Sequence, residues 1–287
     1  MSAAEPVAPS TTVGTVYLTV ADLDRSIAFY ERMLGLRAGE RDGDTASMFA
    51  GDEQLLSLTE QAGAQPVHGH TGLFHFAVLL PERVDLARWF VHAADAGAPI
   101  TGLSDHFVSE AIYLRDPDGH GIEVYADRPK DTWLYEDGSL SVGASPLDTT
   151  GLIAELGPDP VDSPYERMPD GTRMGHVHLH VAELEHMDAF YRDVLGFDVM
   201  GTWPGQATFL SAGGYHHHVA GNLWAGRGAT PPPPGSAALR MATIVSPDIA
   251  ERDRLVARVA DSGQEPVAVP EGVLVRDPSQ NPLLLAA

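Results

Sequence analysis

The chain carries thirteen histidines and no cysteine, so thiolate ligands, disulfides and cysteine catalysis are closed to it. Imidazole and carboxylate remain as donors. His75 lies midway along the apolar run LFHFAVLL, His176, His178 and His180 alternate in GHVHLHV, and His216, His217 and His218 are consecutive. Glu123 belongs to HFVSEAIYLRDPDGHGIEVYAD, which reads as a β-hairpin. Its arms, 111–114 and 122–125, are rich in β-branched and aromatic residues. Asp116-Pro117-Asp118-Gly119 supplies a proline for a type I turn and a glycine where φ must be positive. That three-residue loop sets Tyr113 directly opposite Glu123 on one face and turns Ile122 and Val124 to the other, into a core. A carboxylate among apolar neighbours needs a partner, because burying it unpaired costs several kcal/mol. Two imidazoles and one carboxylate would leave adjacent coordination positions open, which suits non-haem Fe(II) and O2 chemistry, and the same donors accept Mn(II). Strand periodicity puts His176, His178 and His180 on one face, so spacing alone does not choose among them. In a strand, His217 would face away from His216 and His218.

Positioning such groups takes a scaffold, and the chain repeats one. Residues 14–38 and 175–199 are identical at eleven of twenty-five positions, at an offset of 161 that also relates Asp116 to Asp277. In each copy an alternating strand precedes a helix, capped in the first by Asp22 and ended by Gly35 or Gly196. A second strand–helix–strands unit follows each copy, giving four modules. Residues 1–12 read as a disordered lead-in, 13–127 as a first domain, 128–173 as a Pro- and Asp-rich connector with a helix near 149–156, and 174–287 as a second domain. At the repeat offset, His176 and His217 of module three correspond to Thr15 and Leu56 of module one. Glu123, Tyr113 and His106 of module two correspond to Leu284, Leu274 and Val267 of module four. Ligand-capable residues are concentrated in modules two and three, so these two modules are expected to build one site together.

Composition narrows the partners. A net charge of −22 disfavours nucleic acid and anionic membranes, which need a cationic footprint. No apolar run approaches the roughly 20 residues of a spanning helix. The first residues lack the features of a signal peptide, so cytoplasm is the expected location. Glycine-rich nucleotide loops and a nucleophile elbow are missing, and the ligand register beyond Asp116 is wrong for a calcium loop. A small molecule is the expected partner, and the sequence leaves a homo-oligomer open.

Repeated β-α-β-β-β modules carrying LTVADLDRSIAFYERMLG and DPDGHGIE resemble the vicinal oxygen chelate superfamily, which includes glyoxalase I, bleomycin-resistance proteins and extradiol dioxygenases. GLFHFAVLLP, YLRDPDGHGIEVYADRP, GHVHLHV and SAGGYHHHVAGNLWAGR are most similar to bacterial catechol-2,3-dioxygenase-type members. The resemblance implies an α+β fold of four modules in two cup-shaped mixed sheets. It also implies Fe(II)-dependent ring cleavage of a small aromatic diol with O2. His75, Glu123 and His176 match that family's metal ligands, His217 its acid–base histidine, and His106 and Tyr113 its pair that holds substrate oxygen. A glyoxalase-like isomerase or lyase is the enzymatic alternative, although Leu284 stands where a second carboxylate would come. The other alternative is a protein that sequesters an aromatic metabolite or antibiotic, which would have no use for a proton shuttle.

Overall fold

Val16, Leu18 and Val20 are buried along β1 (Thr12–Val20), as their alternation predicts. Asp22 accepts from the Arg25 amide and starts α1 (Leu23–Phe29), which continues as a π turn and stops at Gly35, φ 71°. The first unit ends with β2 (Arg37–Asp42), β3 (Thr45–Ala50) and β4 (Glu53–Glu60). The second comprises β5 (Gly72–Leu79), α2 (Arg83–Asp95), β6 (Ile100–Asp105), β7 (Ser109–Arg115) and β8 (Gly121–Asp127). Between the halves lie β9 (Ser145–Pro146) and α3 (Thr149–Ala154). The third unit comprises β10 (Arg173–His180), α4 (Leu184–Asp188), β11 (Asp198–Trp203), β12 (Ala207–Ser211) and β13 (Val219–Asn222). The fourth is β14 (Leu239–Val245), α5 (Ile249–Asp261), β15 (Val267–Val269), β16 (Gly272–Arg276) and β17 (Pro282–Ala286). This computed structural model describes residues 5–136, 138–157 and 165–287.

The fold is α+β, with two large mixed sheets. One has eight strands in the order β15-β16-β17-β14-β1-β4-β3-β2, and the other nine in the order β9-β6-β7-β8-β5-β10-β13-β12-β11. Each sheet is therefore shared between the two sequence halves: the first unit joins the fourth, and the second joins the third. The seams are the antiparallel pairs β1/β14 and β5/β10, while β1/β4, β5/β8, β10/β13 and β14/β17 run parallel. One continuous apolar core draws on all four units.

Internal repetition shows as paired hydrogen bonds. Tyr30 donates to Asp116 at 2.9 Å, and Tyr191 donates to Asp277 at 3.4 Å. The Ala21 amide donates to Asp118, and the equivalent Ala182 amide donates to Ser279. Each hairpin turn is thus fastened both to a residue just ahead of the helix in its own half and to the π turn that follows that helix. Gly119 closes the first turn at φ 86°, where the amide of Gly119 reaches the Asp116 carbonyl at 3.0 Å.

Two expectations change. The lead-in is not loose over residues 5–11: Val7 is buried, its amide reaches the Gly196 carbonyl, and the Ala8 amide donates to Glu251. Apolar Val7 has core to cover, which a composition-based reading overlooks. The connector also does more than span. Its β9 pairs with β6 at the edge of the nine-stranded sheet, beside the cavity described next. The expectation of disorder over residues 1–4 lies outside the described residues.

Candidate active site

Three neighbouring strands of the nine-stranded sheet, β8, β5 and β10, carry Glu123, His75 and His176. Ala77 of β5 pairs with Glu123 on one side and with His176 on the other. The row across the sheet is therefore carboxylate, methyl, imidazole, and the small Ala77 leaves the middle empty. His75, two residues away on the same face, closes the triangle. The opposite face of these strands carries Phe76, Val78, Ile122, Val124 and Val177, all buried in the core.

A bulge makes this row possible. On β10 the three residues Met174 to His176 span only Val78 and Ala77 of β5, so Gly175 is the extra residue. Met174 and Val177 both face the core, and the insertion turns His176 to the other side. A Cβ on Gly175 would lie 1.8 Å from the Tyr125 hydroxyl oxygen, which is itself held by Tyr215 at 2.7 Å. Strand β1 has the same irregularity at the repeat-related Gly14. Gly175→Ala is expected to cost about 1–3 kcal/mol through overpacking and to lower metal uptake as His176 shifts. Thermal melts with and without added metal read both effects. An unchanged melt and unchanged uptake would contradict this account of the bulge.

His75 Nε2 lies 3.0 Å and His176 Nε2 3.3 Å from Glu123 Oε2, and the two imidazole nitrogens are 3.4 Å apart. Three adjacent corners of an octahedron with bonds of about 2.1–2.3 Å would be about 3.0–3.3 Å apart, so the residues present fit one metal ion. All three side chains are buried. Burial alone would raise the Glu123 carboxyl, but His176 and His75 outweigh it and hold the group well below the ordinary range. Burial lowers His176 to about 4. At neutral pH Glu123 is a carboxylate and His176 a neutral ring, and with His75 their donor atoms converge on one point that a cation would occupy.

Beside this triangle is a cavity of about 320 Å³. His217 lines it, with its ring 3.9 Å from that of His176, and burial keeps its imidazole neutral. Tyr113 faces Glu123 across the hairpin in the predicted register. Its hydroxyl lies 2.7 Å from His106 Nε2, and His106 Nδ1 reaches the Gly143 carbonyl at 2.7 Å. A carbonyl only accepts, so His106 carries its proton on Nδ1 and accepts from Tyr113 through Nε2. Burial, with the nearby Glu123 charge, pushes the Tyr113 phenol well above its ordinary range, which keeps it protonated. His106 stands at a tight corner where Phe107 adopts φ 70°.

The structure therefore brings together His75, Glu123, His176, His217, Tyr113 and His106. His178 lies opposite His75 on the same face, and its Nε2 is buried without a partner, outside the triangle. The three consecutive histidines correct one expectation. They form a loop ahead of β13, after the positive-φ glycines 213 and 214, so strand alternation does not apply to them. His218 Nδ1 accepts from the Ala212 amide, and His216 Nε2 faces Asp127 at 2.9 Å. A second grouping, His176 with His216 and His217, also has donor atoms within 4.8 Å of one another. There, however, the Nδ1 atoms of His216 and His217 already share a 2.7 Å hydrogen bond. Among the described residues both groupings include His176 of β10, in the nine-stranded sheet. Thr15 and Leu284, at the positions related to His176 and Glu123, offer no comparable set. Sequence reasoning missed Asp127, Ala77 and the aromatic wall of Phe74, Phe209, Trp203 and Trp224: Trp203 and Phe209 lie outside the quoted motifs, and the others lie inside them without residue types that mark a role in the site.

Buried imidazoles make the fold acid-sensitive. Burial lowers His218 to about 3 and takes His178 and His217 well below the usual 6.5. An unfolded chain takes up protons near pH 6.5 where these rings do not, so the stability they contribute is lost as pH falls from about 6.5 toward 4. Glu123 acts in the same direction. The denaturation midpoint of the metal-free protein is expected to drop progressively between pH 7 and pH 5, and a flat midpoint would contradict these environments.

Comparison with known proteins places this architecture. Residues 12–124 and 173–283 match the profile of the Glyoxalase/Bleomycin resistance protein/Dioxygenase superfamily. The chain belongs to this superfamily. It is 40% identical over 273 residues to the catechol-2,3-dioxygenase of Bacillus subtilis (strain 168), covering 93% of this chain and 94% of that protein. Among solved structures, a provisionally named dioxygenase from Bacillus subtilis superposes with a TM-score of 0.64 at 15% identity, covering 98% of this chain and 85% of that one. Glyoxalase I from Zea mays superposes with a TM-score of 0.59 at 16% identity, covering 96% and 91%. At such identities these two likenesses concern the superfamily fold alone. Among the described residues, no helix is long and apolar enough to cross a membrane.

Proposed function

We propose that the protein is an Fe(II)-dependent extradiol dioxygenase that cleaves a catechol-type diol with O2. The observation that carries this reading is the convergence of His75, Glu123 and His176 on one point beside a cavity that also holds His217 and the Tyr113–His106 pair. The 40% identical catechol-2,3-dioxygenase supports it. A bound metal, Fe(II) or Mn(II), would supply neighbouring positions for both diol oxygens and for O2. His217 takes a proton from the diol at its ring nitrogen and later returns it, a role that a neutral imidazole fills at neutral pH. Tyr113 holds a substrate oxygen, with His106 fixing the direction of its hydroxyl. The apolar wall excludes bulk water from these groups. A glyoxalase-like isomerase is less well supported, since Glu123 is the one carboxylate in the triangle. Loading the protein with Fe(II) and following O2 uptake with a catechol panel tests the proposal.

The cavity also bears on substrate choice. Its volume lies near the lower end of small-molecule pockets, roughly 300–1,000 Å³. Phe74, Phe209, Trp203 and Trp224 line it, with the connector's Val142. The cation on its lining, Arg115, is exposed and donates to the Gly119 carbonyl. Catechols with a neutral alkyl or aryl substituent are expected to exceed carboxylated ones in kcat/KM by about 10-fold or more. Equal values for the two classes would remove the aromatic wall from the account of specificity.

A further inference from the structure

His217, which lines the candidate substrate cavity, is held by a buried chain of hydrogen bonds that no catalytic role has absorbed. His216 Nε2 lies 2.9 Å from Asp127 Oδ1, and His216 Nδ1 lies 2.7 Å from His217 Nδ1. Asp127 also accepts from the Tyr215 hydroxyl at 3.2 Å, and Tyr215 is bridged to the Tyr125 hydroxyl at 2.7 Å. His216 is fully buried against the rings of Trp133, Tyr125 and Tyr215. Its ring therefore has little freedom to turn.

We infer that Asp127 and His216 are positioning residues that set the tautomer of His217, holding its proton on Nδ1 and leaving Nε2, the nitrogen that His216 does not engage, as the free base. A carboxylate oxygen only accepts, so the single proton of a neutral His216 sits on Nε2. His216 Nδ1 is then an acceptor, and the 2.7 Å contact requires the donor to be His217 Nδ1. The chain ends in a side chain 26% exposed at Asp127, so the same contacts link the buried pair to the surface. The catalytic consequence rests on the ring-cleavage reading above, whereas the tautomer does not.

The tautomer is read directly by ¹⁵N–¹H correlation spectra of histidine-labelled, metal-free protein. The parent is expected to show His217 protonated at Nδ1. His216→Phe removes the acceptor and should shift His217 toward the Nε2–H form. His216→Asn, which places an oxygen near the lost Nδ1, should restore the parent form. A parent His217 protonated at Nε2 overturns the inference by itself, even if the Phe variant does not fold, and so does a folded His216→Phe variant with an unchanged tautomer. In the Fe(II)-loaded enzyme, His216→Phe should lower kcat by about 10-fold or more with KM and metal content unchanged, and His216→Asn should recover most of the loss. Failure of the parent to consume O2 with any catechol would count against the ring-cleavage reading and leave the tautomer result standing.

Discussion

Turnover of an unactivated catechol should fall by about 10²-fold or more when His217 is replaced by Asn or Phe, with metal content and folding retained. His217 lies against the triangle without belonging to it: its ring is 3.9 Å from that of His176, while the Glu123 carboxylate is shared by His75 and His176. It is also the member of the histidine triplet that lines the cavity. His218 is tied to the Ala212 amide, and His216 to Asp127. His218→Asn should therefore disturb stability more than chemistry. Steady-state O2 uptake, paired with metal analysis of each variant, separates the cases. Normal uptake by both His217 variants would remove this residue from the mechanism.

Replacement of His75 by Ala should abolish activity together with the metal. Losing a group that merely supports a ligand already costs about 10–100-fold in affinity, and His75 contributes a donor atom itself. It also supplies one of the two contacts, at 3.0 Å, that hold Glu123 as a carboxylate. With that contact gone, the buried acid depends on His176 alone. Metal titration by calorimetry should show binding weakened by more than about 10²-fold, and His75→Ala that keeps stoichiometric iron would contradict the assignment of the site. The contrast with His217 matters most. One histidine is expected to be needed for the metal, the other for what happens beside it.

Much of this was legible in the chain. The hairpin register placing Tyr113 opposite Glu123 follows from turn chemistry that acts over a few residues, and it appears as expected. The concentration of donors in the second and third units was visible through the 161-residue offset. Those units do share one sheet. The Gly175 bulge was not legible, because a strand period of two cannot tell which residue is skipped, and that skip decides which way His176 faces. Nor was the histidine triplet's geometry: reading 216–218 as strand gave an alternation that the turn at Gly213 and Gly214 removes. Asp127 lies 89 residues from its partner His216, and no local pattern announces a contact of that range. The same holds for Gly143, a connector residue whose carbonyl fixes His106.

The central claim is ring cleavage with O2 at the His75–Glu123–His176 site. Anaerobically prepared protein loaded with one Fe(II) per chain, given a catechol and ¹⁸O2, tests it most directly. The expected result is consumption of one O2 per ring opened, with both labelled atoms in the ring-cleaved product, and loss of this activity in Glu123→Ala. Loaded protein that binds the catechol but consumes no O2 would contradict it, and so would iron located on the His176–His216–His217 grouping instead.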